Sequence, residues 1–192
     1  MNILLIDTTS KNLIVAVVSN GQKYLACDYD CNRMHSVLLC DKISEVMILA
    51  NLTLKDIDYI SVNIGPGSFT GIRIGVATAL GINAGVEAKL VEVNTLQMLA
   101  YTVHSECNCY VDAGNGYYYG RYNGLEEIVS PTLVDYKDII SGGIVFDTTE
   151  RYVDAFISLT LDKISHNLTS LKLEPLYIRK CQAELSREGV NI

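Results

Sequence analysis

The chain has 192 residues, of which 49% are apolar and 19% charged, and it carries a formal net charge of −7 with an isoelectric point near 4.9. This length supports one domain or two small ones with a real hydrophobic core. The acidic charge excludes a protein that binds nucleic acid over its whole surface, because a phosphate backbone would repel it. Any role on nucleic acid must use a basic partner or a small local patch.

Cysteine usage and apolar segments indicate where the chain works. No basic region or cleavage site precedes the first apolar strand, so we expect reduced thiols and a cytoplasmic location. The longest apolar segment, Ile74 to Val86, is shorter than a bilayer span requires and is interrupted by glycines and by Asn83. We therefore expect a soluble chain without a membrane contact. The six cysteines are Cys27, Cys31, Cys40, Cys107, Cys109 and Cys181.

The first half of the chain alternates strand and helix patterns. Runs of apolar and β-branched residues predict the strands, and Asn20-Gly21 is the strongest short hairpin signal. Apolar residues at helical spacing predict the helices, two of them capped by Ser36 and Thr95. The predicted elements are strands at 2–7, 13–19 and 24–29, a helix at 36–50, a strand at 58–64, a helix at 70–85, a strand at 90–93 and a helix at 95–103.

The same pattern begins again near residue 105. A strand ending in Asp112 and a later Asn123-Gly124 repeat the arrangement that Asp7 and Asn20-Gly21 make in the first half, which predicts two homologous halves. The second half is predicted to contain strands at 108–112, 117–122 and 126–130, a helix at 135–141, a strand at 144–147 and a helix from 152. The predicted division is 1–104 for the first half, 105–175 for a reduced second half and 176–192 for a tail.

A glycine-rich turn between a strand and a helix is central to the chain. Gly65 and Gly67 permit positive φ, Pro66 fixes one φ angle, and Ser68 or Thr70 can cap the helix. No Gly-Lys-Ser/Thr follows, which excludes a phosphate-binding P-loop. Two interpretations stay open: the loop and the helix dipole hold an anion, or the glycines only make the turn and a close helix contact. The segment reads Gly65-Pro66-Gly67-Ser68-Phe69-Thr70-Gly71-Ile72-Arg73-Ile74-Gly75.

This segment resembles the signature of the TsaB family (also called YeaZ), the threonylcarbamoyladenosine biosynthesis proteins. The resemblance is ungapped over the whole segment, covers the first half of the chain throughout and reaches the second half in patches. Further similar stretches are Ile6-Asp7-Thr8-Thr9, His35-Ser36, Val111-Asp112-Ala113 and Pro175-Leu176-Tyr177-Ile178-Arg179.

The resemblance implies an α/β fold of the actin-like ATPase (ASKHA) class, built from two homologous βββαβα halves with the second reduced. In that fold an aspartate turn after the first strand of each half holds phosphate and metal, in the form Asp-x-Gly-Thr/Ser. Here the glycine is missing after Asp7, and the hydroxyl residue is missing after Asp112. We therefore expect vestigial phosphate loops in which both aspartates cap turns.

The histidines and cysteines form no complete catalytic or metal-ligating pattern. The catalytic TsaD relatives carry His-x-x-x-His on the first helix, whereas His35 here is followed by Leu39. Cys31 and Cys40 are candidate substitutes, but Cys31 is expected outside the helix, and Cys40 lies about 140° round its axis from His35. We expect no catalytic residue, no metal and no cofactor bound by this chain alone, with ATP left open at an interface shared with a partner.

The first two helices are apolar beyond one face, so they are either buried inside the protein or dock on another one. The resemblance implies docking, because TsaB-like proteins pack this helix pair against the equivalent pair of TsaD, and against a second copy when alone. Arg73 is expected to pair with an acid in this chain or the partner. The predicted interface residues are Leu38, Asp41, Glu45 and Ile48 on the first helix and Ile72, Arg73, Val76 and Leu80 on the second.

By resemblance, the chain is expected to be a non-catalytic scaffold that binds and activates a TsaD-like catalytic subunit, which modifies the adenosine 3′ of the anticodon in tRNA. A TsaE-like ATPase would be the third member, and tRNA would be contacted only through the complex. Three alternatives stay open: an ATPase or kinase that uses Asp7 and Asp112, a metal-dependent transferase, and a homodimeric scaffold outside the tRNA pathway.

Overall fold

The computed structural model describes residues 1–31, 33–138, 143–145 and 150–178. The helices and strands predicted from the sequence are largely present in these ranges, joined by short 3-10 turns. In chain order the elements are β1 (Asn2–Asp7), β2 (Leu13–Ser19), β3 (Gln22–Asp28), α1 (His35–Leu49), β4 (Tyr59–Asn63), α2 (Phe69–Val86), β5 (Lys89–Val93), α3 (Thr95–Tyr101), β6 (Cys107–Asp112), β7 (Tyr117–Asn123), β8 (Glu126–Val134), β9 (Ile144–Val145) and α4 (Glu150–Ser165).

The first sheet has the strand order β3-β2-β1-β4-β5. β1, β2 and β3 form an antiparallel meander, while β4 pairs parallel to β1 and β5 parallel to β4. Every residue of β2, and all of β1 after Asn2, is buried, as expected for strands that are covered on both faces. The continuous apolar runs that predicted these strands therefore reflect a sheet in the middle of the molecule.

The second sheet repeats the arrangement of the first. Its order is β8-β7-β6-β9, with β6, β7 and β8 antiparallel and β9 parallel to β6. The repeated meander followed by a parallel strand is the topology expected of two related halves. The α/β, actin-like fold with a reduced second half is confirmed. The division at residue 104 falls in the turn between α3 and β6 and stays a prediction.

Two hydrophobic cores lie on opposite faces of the first sheet. Alternate residues of β1 contribute to the two cores in turn. Leu4 and Ile6 pack with α1 and α2, whereas Ile3 and Leu5 pack with α3, α4 and the second sheet. The first core is thus a helix layer on a sheet, and the second is a helix layer between two sheets. This layering puts α1 and α2 on the outside of the molecule, and it puts α3 and the buried face of α4 between the two sheets.

Several local predictions were wrong. The helix predicted at 135–141 is a 3-10 turn over Tyr136–Asp138 in its described part, and residues 139–141 lie outside the described ranges. β8 continues past the predicted 130 to Val134. Pro131 is accommodated there because β8 is an edge strand, which needs no amide donor on its outer side.

The helix caps differ from those predicted at two of three helices. α1 begins at His35 without a side-chain cap, so Ser36 does not cap it, and Asn94 rather than Thr95 accepts the Gln97 amide at the start of α3. At α2, Ser68 accepts the Gly71 amide at 3.2 Å, which confirms the first of the two predicted capping residues.

α2 is long and apolar enough, judged by length and composition alone, to cross a membrane, which differs from the expectation for the shorter Ile74 to Val86 segment. One face of α2 is nevertheless buried against the first sheet through Ile72, Val76 and Ala79. Because that face contributes to the hydrophobic core, we interpret α2 as a packing helix of the fold.

Candidate functional site

The glycines of the central segment let the start of α2 lie directly on the β1–β2 turn. A Cβ atom on Gly67 would overlap the Thr9 carbonyl oxygen, and one on Gly71 would overlap the Thr8 carbonyl oxygen. The Thr8 hydroxyl donates to the Gly71 carbonyl at 2.7 Å, and the Ser68 amide donates to the Thr9 carbonyl at 2.6 Å. The glycines of this segment therefore allow α2 to pack closely against the turn after Asp7, and hydrogen bonds hold it there.

Backbone amides in this loop already have partners inside the chain. The Gly65 amide donates to Asn63 Oδ1 at 3.0 Å, the Ser68 amide to Thr9, and the Gly71 amide to the Ser68 hydroxyl. An anion-binding loop instead needs amides that point at the ligand. Of the two interpretations of the motif, these contacts favour the turn and close helix contact.

Asp7 is buried, and donors of the chain itself occupy both of its carboxylate oxygens. Oδ1 accepts the Thr9 amide and the Thr9 hydroxyl, both at 2.8 Å. Oδ2 accepts the Asn63 amide group at 3.0 Å and the Tyr152 hydroxyl at 2.7 Å. Burying a carboxylate is tolerable only with such a set of donors. The first aspartate turn thus satisfies its charge internally.

Tyr152 brings the second half of the chain into this network. It lies on α4, is fully buried and has a pKa well above the usual tyrosine value, because burial and the neighbouring Asp7 both disfavour the tyrosinate. Asn63 at the end of β4 links the group further, since its Nδ2 also reaches the Thr95 hydroxyl at 3.0 Å. Neither Tyr152 nor Asn63 was identified from the sequence.

The second aspartate turn is open to solvent. Asp112 is exposed, and its carboxylate accepts a hydrogen bond from the Gly114 amide at 2.7 Å. The Asp7 carboxylate accepts the equivalent turn-capping bond from the Thr9 amide. Between the two turns lies a cleft of about 700 Å³, lined by both of them and by the central loop. Lys11 and Arg33 are its cationic side chains, with Lys11 Nζ 3.7 Å from the carboxylate of Asp30.

These residues fit a phosphate and its magnesium ion only in part. The Asp7 turn does not fit, because its carboxylate is saturated by protein donors and the Gly65, Ser68 and Gly71 amides of the loop beside it donate within the chain. The Asp112 turn keeps an exposed carboxylate facing the cleft. The assignment of both turns as vestigial phosphate loops stays a prediction.

The candidate metal ligands come together only in part. Cys31 Sγ lies 3.3 Å from His35 Nε2, and both residues are buried, whereas Cys40 is exposed on another face of α1. His35 Nε2 also lies 3.3 Å from the Asn12 carbonyl oxygen. Within the described ranges there is no group of three or more histidine, cysteine or acidic residues arranged to hold a metal.

The outer faces of α1 and α2 carry exposed apolar and small side chains among polar ones, and no described residue covers them. Ile48 is 78% exposed, Val37 62% and Leu49 53%. On α2, no atom of the described residues other than neighbouring residues and the helix's own backbone lies within 4 Å of where a Cβ on Gly81 or Gly85 would be. An apolar helix surface of this kind marks an interaction site when several such residues adjoin.

The predicted interface residues divide between surface and core. Asp41, Glu45, Ile48, Arg73 and Leu80 are exposed and Leu38 is half-buried. Ile72 and Val76 are only 2% and 5% exposed and belong to the core between α2 and the first sheet, so their assignment to the docking face is corrected. The sequence periodicity of α2 fits either face, because small residues line the outer side.

Arg73 makes an aromatic contact where an acidic partner was expected. Its guanidinium carbon lies 3.8 Å from the ring centre of Phe69, and its Nε donates to the Tyr177 hydroxyl at 2.9 Å. The two rings are 4.9 Å apart. The amide of Leu176 also donates to the Ile64 carbonyl at 2.9 Å. Within the described residues, Arg73 therefore makes a cation–π contact that holds residues 176–177 beside the central loop. Its pairing with an acid, in this chain or a partner, stays a prediction.

Comparison with protein families identifies relatives for most of the chain. The family model for tRNA N6-adenosine threonylcarbamoyltransferase (TsaD) matches residues 29–172. Over 98 residues the chain is 34% identical to the tRNA threonylcarbamoyladenosine biosynthesis protein TsaB of Buchnera aphidicola subsp. Schizaphis graminum, which covers 51% of this chain and 46% of the relative. Escherichia coli TsaB is 33% identical over 100 residues, covering 52% and 43%. The alignments thus span about half the length of these relatives.

Comparison with solved structures identifies the same group. YeaZ from Pseudomonas aeruginosa superposes with a TM-score of 0.76 at 17% identity, covering 88% of this chain and 94% of that one. A second Pseudomonas aeruginosa protein, described as similar to peptidase YeaZ, gives 0.80 at 18% identity, with 93% and 99% covered. At these identities the likeness concerns the fold.

Proposed function

The chain belongs to the TsaB (YeaZ) family, which is related to TsaD, and from this membership we propose that it works in tRNA threonylcarbamoyladenosine modification as a non-catalytic subunit that binds and activates a TsaD-like catalytic subunit. The proposal includes a cytoplasmic location and a TsaE-like ATPase as third member. When no partner is present, two copies would associate through the same surface.

The observation that carries this proposal is the bare outer face of α1 and α2. Exposed Ile48, Val37 and Leu49 offer apolar area, while Gly81 and Gly85 leave room for the backbone of a partner helix to approach closely. Burying one such apolar side chain contributes about 1.5–3 kcal/mol. Because these residues lie on one layer of the molecule, a second helix pair can cover all of them together.

Activation by such a subunit is a matter of differential binding. A partner whose helix pair has two arrangements shifts toward the one that fits α1 and α2 better, and only by as much as the two affinities differ. Gly71 and Gly67 hold α2 rigidly on the β1–β2 turn, so the docking face keeps its shape. A rigid surface discriminates between two arrangements of its partner more strongly than a soft one does.

Two features support a role without chemistry of its own. The saturated Asp7 carboxylate offers no free oxygen to a metal ion, and the net charge of −7 disfavours direct tRNA binding. We propose that the catalytic partner contacts the tRNA. ATP, if it reaches this chain, would lie in the cleft with Asp112, at an interface shared with the complex.

The test is light scattering on a sizing column, with the chain alone and mixed with the TsaD-like protein of the same cell. We expect a homodimer that exchanges into a one-to-one heterodimer. Ile48→Asp should weaken that association at least about tenfold, because a charge would be buried in an apolar contact. A chain that ignores the partner contradicts the proposal and directs attention to ATP turnover in the cleft.

Leu171→Asp is the matched control. Leu171 is fully exposed and follows Ser170, which forms a β-bridge with β5 at one edge of the first sheet. Ile48 lies on α1, which covers β2 and β3 near the opposite edge. Leu171→Asp should leave association unchanged. Both variants should unfold at the same denaturant concentration as the parent, since neither side chain is buried. If Ile48→Asp lowered the free energy of unfolding as much as it weakened association, Ile48 would be a core residue. The exposed face of α1 and α2 would then no longer support the proposal.

A further inference from the structure

Two cysteines of β6 lie side by side in the second half, away from the cleft and from the α1–α2 face. Cys107 and Cys109 are two residues apart on one face of the strand, and their sulfur atoms are 3.4 Å apart. The two sulfur atoms are thus in contact, and neither the fold nor the proposed function uses this contact. Cys107 is half-buried at the start of the strand, whereas Cys109 is fully buried in the core.

The environments of the two thiols give them different chemical characters. The Cys109 thiol lowers the pKa of Cys107, because its S–H can donate to a Cys107 thiolate, and this hydrogen bond together with burial raises the pKa of Cys109. Cys107 is therefore the nucleophile that solvent reaches, and Cys109 is the thiol behind it. A reachable thiolate beside a second thiol is the arrangement of peroxide-sensitive cysteine pairs.

We propose that Cys107 and Cys109 form a reversible oxidation site, at which hydrogen peroxide converts the two thiols into an intrastrand disulfide. The Cys107 thiolate attacks one peroxide oxygen, the O–O bond breaks, and a sulfenic acid and hydroxide form. The Cys109 sulfur then attacks the Cys107 sulfur, the S–O bond breaks, and the hydroxyl leaves as water with the thiol proton. The two sulfurs are oxidised and the peroxide is reduced, so electrons and atoms balance.

The geometry predicts that this disulfide is easily reduced again. The sulfurs must approach by about 1.4 Å to reach the S–S bond length of about 2.05 Å. β6 is held on both sides, since Cys109 stands opposite Gly120 of β7 and Ile144 of β9. Forming the disulfide requires β6 to distort while its pairing with β7 and β9 holds it in place. Strained disulfides are the ones that are reduced most easily.

The test treats the full chain with hydrogen peroxide, alkylates the remaining thiols and analyses the tryptic peptide 90–121, which contains both cysteines and ends at Arg121. We expect this peptide to lose two hydrogen atoms and both alkylation sites, and dithiothreitol to restore them. A stable sulfenic acid on Cys107, a disulfide to Cys181 or another cysteine, or an unchanged peptide would each overturn the proposal.

Two variants and one reagent keep the result interpretable. Cys109→Ser should stop the reaction at a Cys107 sulfenic acid, which dimedone traps, whereas Cys40→Ser, which removes an exposed thiol elsewhere, should leave the disulfide unaffected. Phenylarsine oxide should block both thiols of the folded chain at one equivalent, because one trivalent arsenic bonds to two adjacent sulfurs with loss of water. Failure of the arsenical to protect both cysteines would contradict the placement of the pair.

Discussion

The helix pairs on the two faces of the first sheet use apolar surface in different ways. All seven residues of α3 are buried, and α4 places Tyr152, Phe156 and Leu159 in the core between the two sheets. α1 and α2 bury one stripe each and leave Ile48 and Leu80 exposed. The inner pair packs in the core between the two sheets through α3 and the buried face of α4, whereas the outer pair, α1 and α2, packs on one sheet only. The apolar side chains that α1 and α2 leave exposed are the ones that the proposed docking would cover.

A core substitution in the inner pair should reduce the free energy of unfolding most. Phe156→Ala should lower the free energy of unfolding by about 3–5 kcal/mol, because Phe156 is fully buried and its removal leaves a cavity. Its counterpart on the outer pair, Ile48→Ala, should change stability by less than about 0.5 kcal/mol. Urea unfolding followed by far-UV circular dichroism measures both. Equal losses would contradict the contrast between the two pairs.

An intermediate effect is expected where the inner pair reaches the Asp7 turn. Tyr152→Phe removes the hydroxyl that donates to Asp7 at 2.7 Å and should cost about 1–3 kcal/mol, because a buried carboxylate loses a donor. The control is Tyr24→Phe, since the Tyr24 hydroxyl only bonds the exposed Gln22 side chain, and it should cost less than about 0.5 kcal/mol.

Tyr152 should also make the stability of the folded chain decrease at alkaline pH. Folding raises the pKa of Tyr152, so its contribution to stability is complete below the unfolded tyrosine pKa of about 10 and is lost as pH rises above it. Burial raises the pKa of Tyr101 and Tyr122 in the same direction. The unfolding free energy should therefore fall above about pH 10, and less steeply in Tyr152→Phe. An identical slope in both proteins would show that Tyr152 does not contribute.

Two glycines of the outer pair should respond in opposite directions, and the change at Gly81 should be the smaller of the two. Gly71→Ala should destabilise the chain by about 1–3 kcal/mol, because the new methyl group overlaps the Thr8 carbonyl oxygen. Gly81→Ala should stabilise it by about 0.5–1 kcal/mol, since its Cβ has free space and alanine favours a helix. Thermal unfolding gives the sign of each change. If Gly81→Ala were also destabilising, the outer face of α2 would not be bare.

Local sequence patterns predicted most of the fold. The β-branched runs of β1 and β2 required strands, and Asn20-Gly21 adopts the positive φ angles, 50° and 79°, that its hairpin turn needs. The Ser68 cap followed from an oxygen placed before free helix amides. These features depend on neighbours in the chain, so they can be predicted from the local sequence. The repeated pattern near Asp112 indicated the second half for the same reason.

Which surfaces are covered and which charges are satisfied depends on contacts between distant parts of the chain. Helical spacing shows that Ile72 and Val76 share a stripe, but the sheet beneath α2 decides that this stripe is buried. Tyr152 reaches Asp7 across 145 residues, and Tyr177 reaches Arg73 across 104, so no local signal could announce either contact. Such pairings arise from the layering of the two halves, because burial and hydrogen bonding act through space rather than along the chain.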